Sequence, residues 1–201
     1  MNKLTLLTII YAIGIIIGAL FLDVWGAETT LINKKNSKFS LRWFTPDIEM
    51  DLCGHATLAA AHCINKHLDL NFERILFDTI TGQLSVKISN DMYQLDFPKR
   101  KPVESELPKD IHNSLSVKPD KIFKSRDYIL VYNNIDDIIN IKINRNVFNN
   151  INIDPGGVVL TSKGIDCDFV SRFFTPQSTY FEDPVTGSSH CSLIPYWSSI
   201  L

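Results

Sequence analysis

The pentapeptide RWFTP at Arg42–Pro46 returns as RFFTP at Arg172–Pro176 in a chain of 201 residues. Each copy ends a run of aromatic and branched residues, the pattern of a strand. Each is followed by a short acidic loop and then by a glycine that opens a helical pattern, Gly54 in the first case and Gly187 in the second. A repeated strand–loop–helix unit constrains a fold more than any composition does. Two copies predict two pseudo-symmetric halves.

Length permits one domain or two small ones. Apolar residues make up 45% and charged residues 21%, which places the chain among globular proteins. The net charge of -2 gives no basic footprint for nucleic acid. The four cysteines, Cys53, Cys63, Cys167 and Cys191, have no C-x-x-C spacing and form no zinc signature with the histidines. They read as reduced, mostly buried thiols of a cytosolic protein. No P-loop or dinucleotide fingerprint is present, so neither a metal nor a nucleotide cofactor is expected. From Leu4 to Leu22 the chain is almost wholly apolar, long enough for a membrane helix or an export segment, although no clean A-x-A site follows.

After Asp23 the pattern is mixed. Ser37–Thr45 reads as a strand that stops at Pro46. Gly54–His67 (GHATLAAAHCINKH) reads as a helix, and its alanine run predicts close packing on all sides. Strands follow at Arg74–Thr79, Gln83–Ser89 and Tyr93–Phe97, with turns at Thr81-Gly82 and Asn90-Asp91. A short helix is expected near Pro108, and a buried strand at Asp127–Tyr132. The stretch IDDIINIKINRNVFNNI is ambiguous, with helix preferred in its first half. GGVVLTS and CDFVSRFF give two more strands, and a second helix opens at Gly187. The expected organisation is an apolar segment over 1–22, a first half over 23–100 and a second half over 101–201.

The first amides of a helix lack partners and carry partial positive charge. Glycine at that turn lets a ligand approach the backbone. Each helix start is therefore suited to a carboxylate or an oxyanion, and two facing halves would aim both at one cleft. His55, one residue after Gly54, offers an imidazole for proton transfer. Asp183 and Ser188 flank Gly187. Asp183 equally fits a turn or capping role before Pro184, and Ser188 fits a simple helix-start residue.

FTPDIEMDLCGHATLAAAH and FVSRFFTPQSTYFEDPVTGSSHCSLIPYW resemble the two signature segments of the PhzF-like phenazine-biosynthesis family, in the right order and at a fitting distance. The likeness extends upstream to AETTLI, and so covers Ala27 to the C-terminus. It implies an α+β fold of the diaminopimelate epimerase type: two pseudo-symmetric halves, each a curved, mostly antiparallel sheet around a central helix. It also implies a cofactor-independent isomerase that moves a proton on a small substrate bearing a carboxylate. Glu28 matches the family's acid/base glutamate, and His55, Asp183 and Ser188 match its other catalytic positions. Gly54 and Gly187 match the helix-start glycines, with Thr186 beside the second in the substrate-binding set. In diaminopimelate epimerase a cysteine precedes each helix-start glycine. Cys53 matches the first, but Thr186 stands at the second, so a two-thiol racemase is not expected. The resemblance implies cytoplasmic location and, since relatives are often dimers, a homodimer.

Two departures qualify these expectations. Family members begin with a strand ending in a D-F----GNP motif, and here the apolar run occupies that place. Members also continue past the position of PYW, whereas this sequence stops at Leu201. The framework thus reads as incomplete at both ends, as in a decayed or interrupted gene. Unpaired sheet edges would then be expected, together with a loosely held Glu28. The alternatives to an isomerase are a nonfunctional gene fragment and a membrane-anchored protein, held through residues 4–22, that binds small carboxylates.

Overall fold

A computed structural model describes residues 29–35, 38–45, 48–67, 72–90, 92–184 and 186–201. The described residues form two compact units, divided between Phe97 and Pro98. Among them no helix is long and apolar enough to cross a membrane, and the apolar segment 4–22 lies outside them.

Among the described residues, the first unit contains one six-stranded sheet and one helix. Its strands are β1 (Thr29–Lys35), β2 (Lys38–Phe44), β3 (Glu49–Met50), β4 (Arg74–Thr79), β5 (Gly82–Ser89) and β6 (Met92–Asp96). They run in the order β1-β2-β4-β5-β6, with β3 paired to β2. All pairs are antiparallel except β2 and β4. The alternation of side chains along a strand decides what is buried. Phe39, Leu41 and Trp43 of β2 point inward, as do Ile75 and Phe77 of β4 and Leu84 and Val86 of β5.

Helix α1 (Gly54–His67) supplies the rest of this core through Ala56, Thr57, Ala60, Ala61 and Ile64, a single stripe at helical spacing. The expectation of close packing on every side is not met. Ala59, His62 and Cys63 are exposed, because a helical period puts only the middle and end of the alanine run on the buried stripe.

The second unit has a six-stranded sheet with helices on both faces. Its strands are β7 (Val103–Glu104), β8 (Lys121–Lys124), β9 (Tyr128–Val131), β10 (Val158–Lys163), β11 (Phe169–Phe174) and β12 (Glu182–Asp183). They lie in the order β12-β11-β10-β9-β8-β7, with only β9 and β10 parallel. The helices are α2 (Lys109–Ser114), α3 (Ile135–Asn140), α4 (Arg145–Phe148) and α5 (His190–Trp197). The ambiguous stretch is thus two short helices, each capped by an asparagine whose side-chain oxygen accepts from the first turn, Asn134 and Asn144.

Alternation sorts this core into two layers. Tyr128, Leu130, Val158, Leu160 and Phe174 meet Ile111, Ile138 and Phe148 on one face. Ile129, Val131, Val159 and Phe173 meet Leu193, Tyr196 and Trp197 of α5 on the other. The Trp197 Nε1 donates to Thr161 Oγ1 at 3.0 Å inside that second layer.

The chain does not enter an α-helix at Gly187 directly. A 3₁₀ turn over Gly187–Ser189 comes first, a common prelude at helix starts. Pro195 lies within α5 and has no N–H to give Cys191, four residues earlier. The backbone N–H of Arg100 fills that gap, donating to the Cys191 carbonyl at 2.9 Å. Of the four free cysteines, Cys53 and Cys191 are buried and Cys63 and Cys167 are exposed. The expectation of mostly buried thiols therefore holds for only half of them. Cys63 faces out from α1, and Cys167 sits in the turn between β10 and β11.

Gly157, just before β10, has no room for a side chain. A Cβ there would stand 2.9 Å from the Phe174 carbonyl and would collide with the Phe173 ring. Gly157→Ala should destabilise the second unit by roughly 1–3 kcal/mol, the range for overpacking a tight core. Urea unfolding of the full chain checks this, and an unchanged midpoint would contradict it.

Candidate functional site

In the first unit the helix start is built from the buried pair Leu52 and Cys53, which anchors the turn into α1. The Thr57 N–H and hydroxyl both donate to the Cys53 carbonyl, at 3.2 and 2.6 Å. The Thr81 hydroxyl donates to the Asp51 carbonyl at 2.9 Å and so fixes the loop from the β4–β5 turn. His55 is exposed, with its ring nitrogens 3.8 and 3.7 Å from Cys53 Sγ. The pair thus presents an imidazole edge against a thiol at the first turn of α1. Gly54 has a packing reason of its own: a Cβ there would stand 3.0 Å from the Phe97 ring.

In the second unit β11 turns back through β12, and Asp183 ends that short strand opposite Phe173. Its carboxylate accepts from the Thr186 hydroxyl at 2.6 Å. The next donor inward is the Ser189 hydroxyl, which bonds the Thr186 carbonyl at 2.7 Å. Thr186 is therefore held from both sides, and it leads straight into Gly187. Nothing lies within 4 Å of where a Gly187 Cβ would be, so the backbone there is open to an approaching group. Ser188 is half-buried beside it.

The structure thus brings Asp183, Thr186, Gly187 and Ser188 together on one turn, and Cys53, Gly54 and His55 together on another. Glu28 lies outside the described residues. Among the described residues no cluster of histidine, cysteine and carboxylate side chains is arranged to hold a metal ion.

One charged group, at the entry to β9, was not singled out in the sequence. Asp127 is wholly buried; its Oδ1 accepts from Arg126 Nη1 at 2.8 Å and from the Gly157 N–H at 3.0 Å. Its Oδ2 is buried without a hydrogen-bond partner. Burial pushes this carboxyl above its ordinary range, against the pull of Arg126 and the Gly157 amide. Burial also pushes the Cys191 thiol up, opposed by Arg100. A buried thiol of that kind is inert rather than nucleophilic. Nearby, the Ser125 and Ser192 hydroxyls meet at 2.7 Å and tie the loop before β9 to α5. The arginine-aspartate dipeptide before an apolar strand was the available signal, but sequence alone does not tell a buried aspartate from a turn residue.

The fold, two sheets with a glycine-led helix start in each unit, defines the class: an α+β protein of the diaminopimelate epimerase type. A Pseudomonas aeruginosa protein described as a predicted epimerase shares it at a TM-score of 0.58, with 16% identity over 90% of this chain and 70% of its own, a likeness of fold alone. Residues 25–201 match the family model of phenazine biosynthesis-like (PhzC/PhzF) proteins. The chain belongs to that family.

A Pseudomonas aeruginosa relative described as an uncharacterized isomerase is 39% identical over 176 residues, 87% of this chain and 67% of its own length. The crystal structure of a Clostridium difficile PhzC/PhzF phenazine-biosynthesis protein superposes at a TM-score of 0.71, with 43% identity over 86% of this chain and 66% of that one. By family resemblance the chain stands among isomerases, and it spans about two thirds of the length of these relatives.

The raised carboxyl of Asp127 has a sign that can be checked. Its folded form holds a proton more tightly than the unfolded chain does, so its contribution to stability is greatest at acid pH. That contribution is lost as pH rises from the ordinary carboxylate range, about 4, through the folded value. The stability of the wild type relative to Asp127→Asn should therefore decline as pH rises from about 4 toward neutrality. Denaturant unfolding of both proteins across that interval tests it, and a difference that grows with pH would contradict the assignment.

Proposed function

We propose that this chain acts as a cofactor-independent isomerase that moves a proton between carbons of a small substrate bearing a carboxylate. The observation that carries this reading is the turn at Gly187. Asp183 is fixed by Thr186 at 2.6 Å, and the backbone beside it is open to a ligand. A carboxylate can lie against such a glycine-led helix start, where unpaired amides and the local dipole favour negative charge.

In this reading Glu28 is the proton carrier. It takes a proton from a substrate carbon, the electron pair left behind spreads into the adjacent unsaturated or carbonyl group, and the proton returns at another carbon. No atom is gained or lost. A carboxylate suits this task where burial raises its pKa toward the working pH. His55 and Asp183 hold and polarise the group on which negative charge develops, and Ser188 donates to it. Gly54, Gly187 and Thr186 form the backbone seat of the substrate. We place the protein in the cytoplasm.

The test is solvent-isotope incorporation. The full chain is incubated in D₂O with a panel of small ring and α-amino carboxylic acids, and carbon-bound deuterium is read by mass spectrometry. Incorporation should fall about 10²–10⁴-fold in Glu28→Gln, the range for removing a general acid/base. Asp183→Asn should fall about tenfold or more through lost orientation and charge stabilisation. Failure of every acid to exchange or bind, or undiminished exchange in Glu28→Gln, would overturn the reading.

A further inference from the structure

The RWFTP/RFFTP repeat recurs in side-chain geometry. In the first unit Arg42 of β2 grips Glu49 of β3 through both arms of its fork, Nε to Oε1 at 2.7 Å and Nη2 to Oε2 at 2.6 Å. In the second unit Arg172 of β11 grips Glu182 of β12 in the same way, Nε to Oε1 at 2.6 Å and Nη2 to Oε2 at 2.8 Å. Each guanidinium also lies over the phenylalanine two residues on, 4.9 Å from the Phe44 ring and 5.0 Å from the Phe174 ring. The register repeats as well, since Phe44 faces Glu49 and Phe174 faces Glu182. So does the hairpin closure: the Thr45 N–H donates to Ile48 at 2.8 Å, and that of Thr175 donates to Phe181 at 3.1 Å.

The loops between the two strands differ in length, yet the distance forward does not. The helix-start glycine comes five positions after the glutamate in both units, Glu49 to Gly54 and Glu182 to Gly187. What repeats is therefore the coupling of an arginine–glutamate pair to the glycine turn. Global stability is a poor account of it. These pairs are partly exposed, with Arg42 side-chain exposure at 54%, and exposed ion pairs add little to folding. A bidentate fork instead fixes orientation, which a two-residue strand cannot hold alone.

We propose that Arg42–Glu49 and Arg172–Glu182 are matched positioning clamps for the two glycine-led helix starts. In the second unit the clamp sets the placement of Asp183, the residue after Glu182, and of the Thr186 hydroxyl bonded to it. Arg172 has a further anchor, since its Nη1 donates to the Ile138 carbonyl at 2.8 Å and ties the hairpin to α3. Lysine cannot reproduce a planar fork with three directed donors. The clamp's role in catalysis rests on the function proposed above; its role in ordering the turn does not.

Hydrogen–deuterium exchange of the full chain separates the two. Arg172→Lys and, independently, Glu182→Gln should each speed amide exchange at 183–189 by about tenfold while 158–163 in β10 keeps its protection. Combining the two changes should add little, as expected of one coupled unit. In the first unit the reversal Arg42→Glu with Glu49→Arg should restore protection at 52–56 relative to either single change, because the fork can re-form. Unchanged exchange at 183–189, or a uniform rise across the second unit, would overturn the proposal. If the wild type incorporates deuterium into a substrate, Arg172→Lys should lower kcat more than it alters KM, and an effect confined to KM would count against the clamp. If the wild type incorporates none, the isomerase reading fails while the exchange data still judge the clamp.

Discussion

Burial of β10 on both faces is the constraint from which the second unit follows. Val158 to Ser162 are all buried, so this strand needs a covering layer on each side. The layers are α2, α3 and α4 on one face and α5 on the other. At roughly 25 cal/mol per Å² of apolar surface, that double layer is the main favourable term in the unit. It also dictates where the candidate site can be. β11 is pinned beside β10, its end must turn back through β12, and the chain must then pass to the face of the sheet that α5 covers. The Gly187 turn is the join between those two obligations. Its geometry is inherited from packing several residues away, including the Gly157 position that Asp127 fastens through its backbone amide.

Much of this was legible because strand and helix periods are strong signals. Arg74–Thr79 and Gly54–His67 coincide with elements of the structure, β9 lies within the stretch expected, and β10 runs one residue past it. The repeat led directly to both helix starts. What escaped was short or partner-dependent. β3 and β12 are two residues each, and no periodicity exists over two residues. β1 and β8 mix charged and apolar residues, and become strands by pairing with β2 and β9. The second helix was placed one 3₁₀ turn early, since glycine and serine there do not distinguish the two helix types. At the site, the residue types of Asp183 and Thr186 were visible, but their bond was not. Nor was the grip of Arg172 on Glu182, which requires the strand register to be known.

The two glycine turns are built alike and equipped differently, and that difference bears on chemistry. By register, the place that Asp183 takes opposite Phe173 is taken in the first unit by Met50 opposite Trp43. The residue before the glycine is Thr186 in one and Cys53 in the other. One turn thus carries a carboxylate held by a hydroxyl, the other a thiol against an imidazole. A symmetric reaction, in which equivalent groups on two faces of a carbon exchange roles, calls for like groups on both turns. The two turns do not supply like groups. Sheet register and arginine–glutamate forks repeat in both units, whereas the side chains at the two turns diverge.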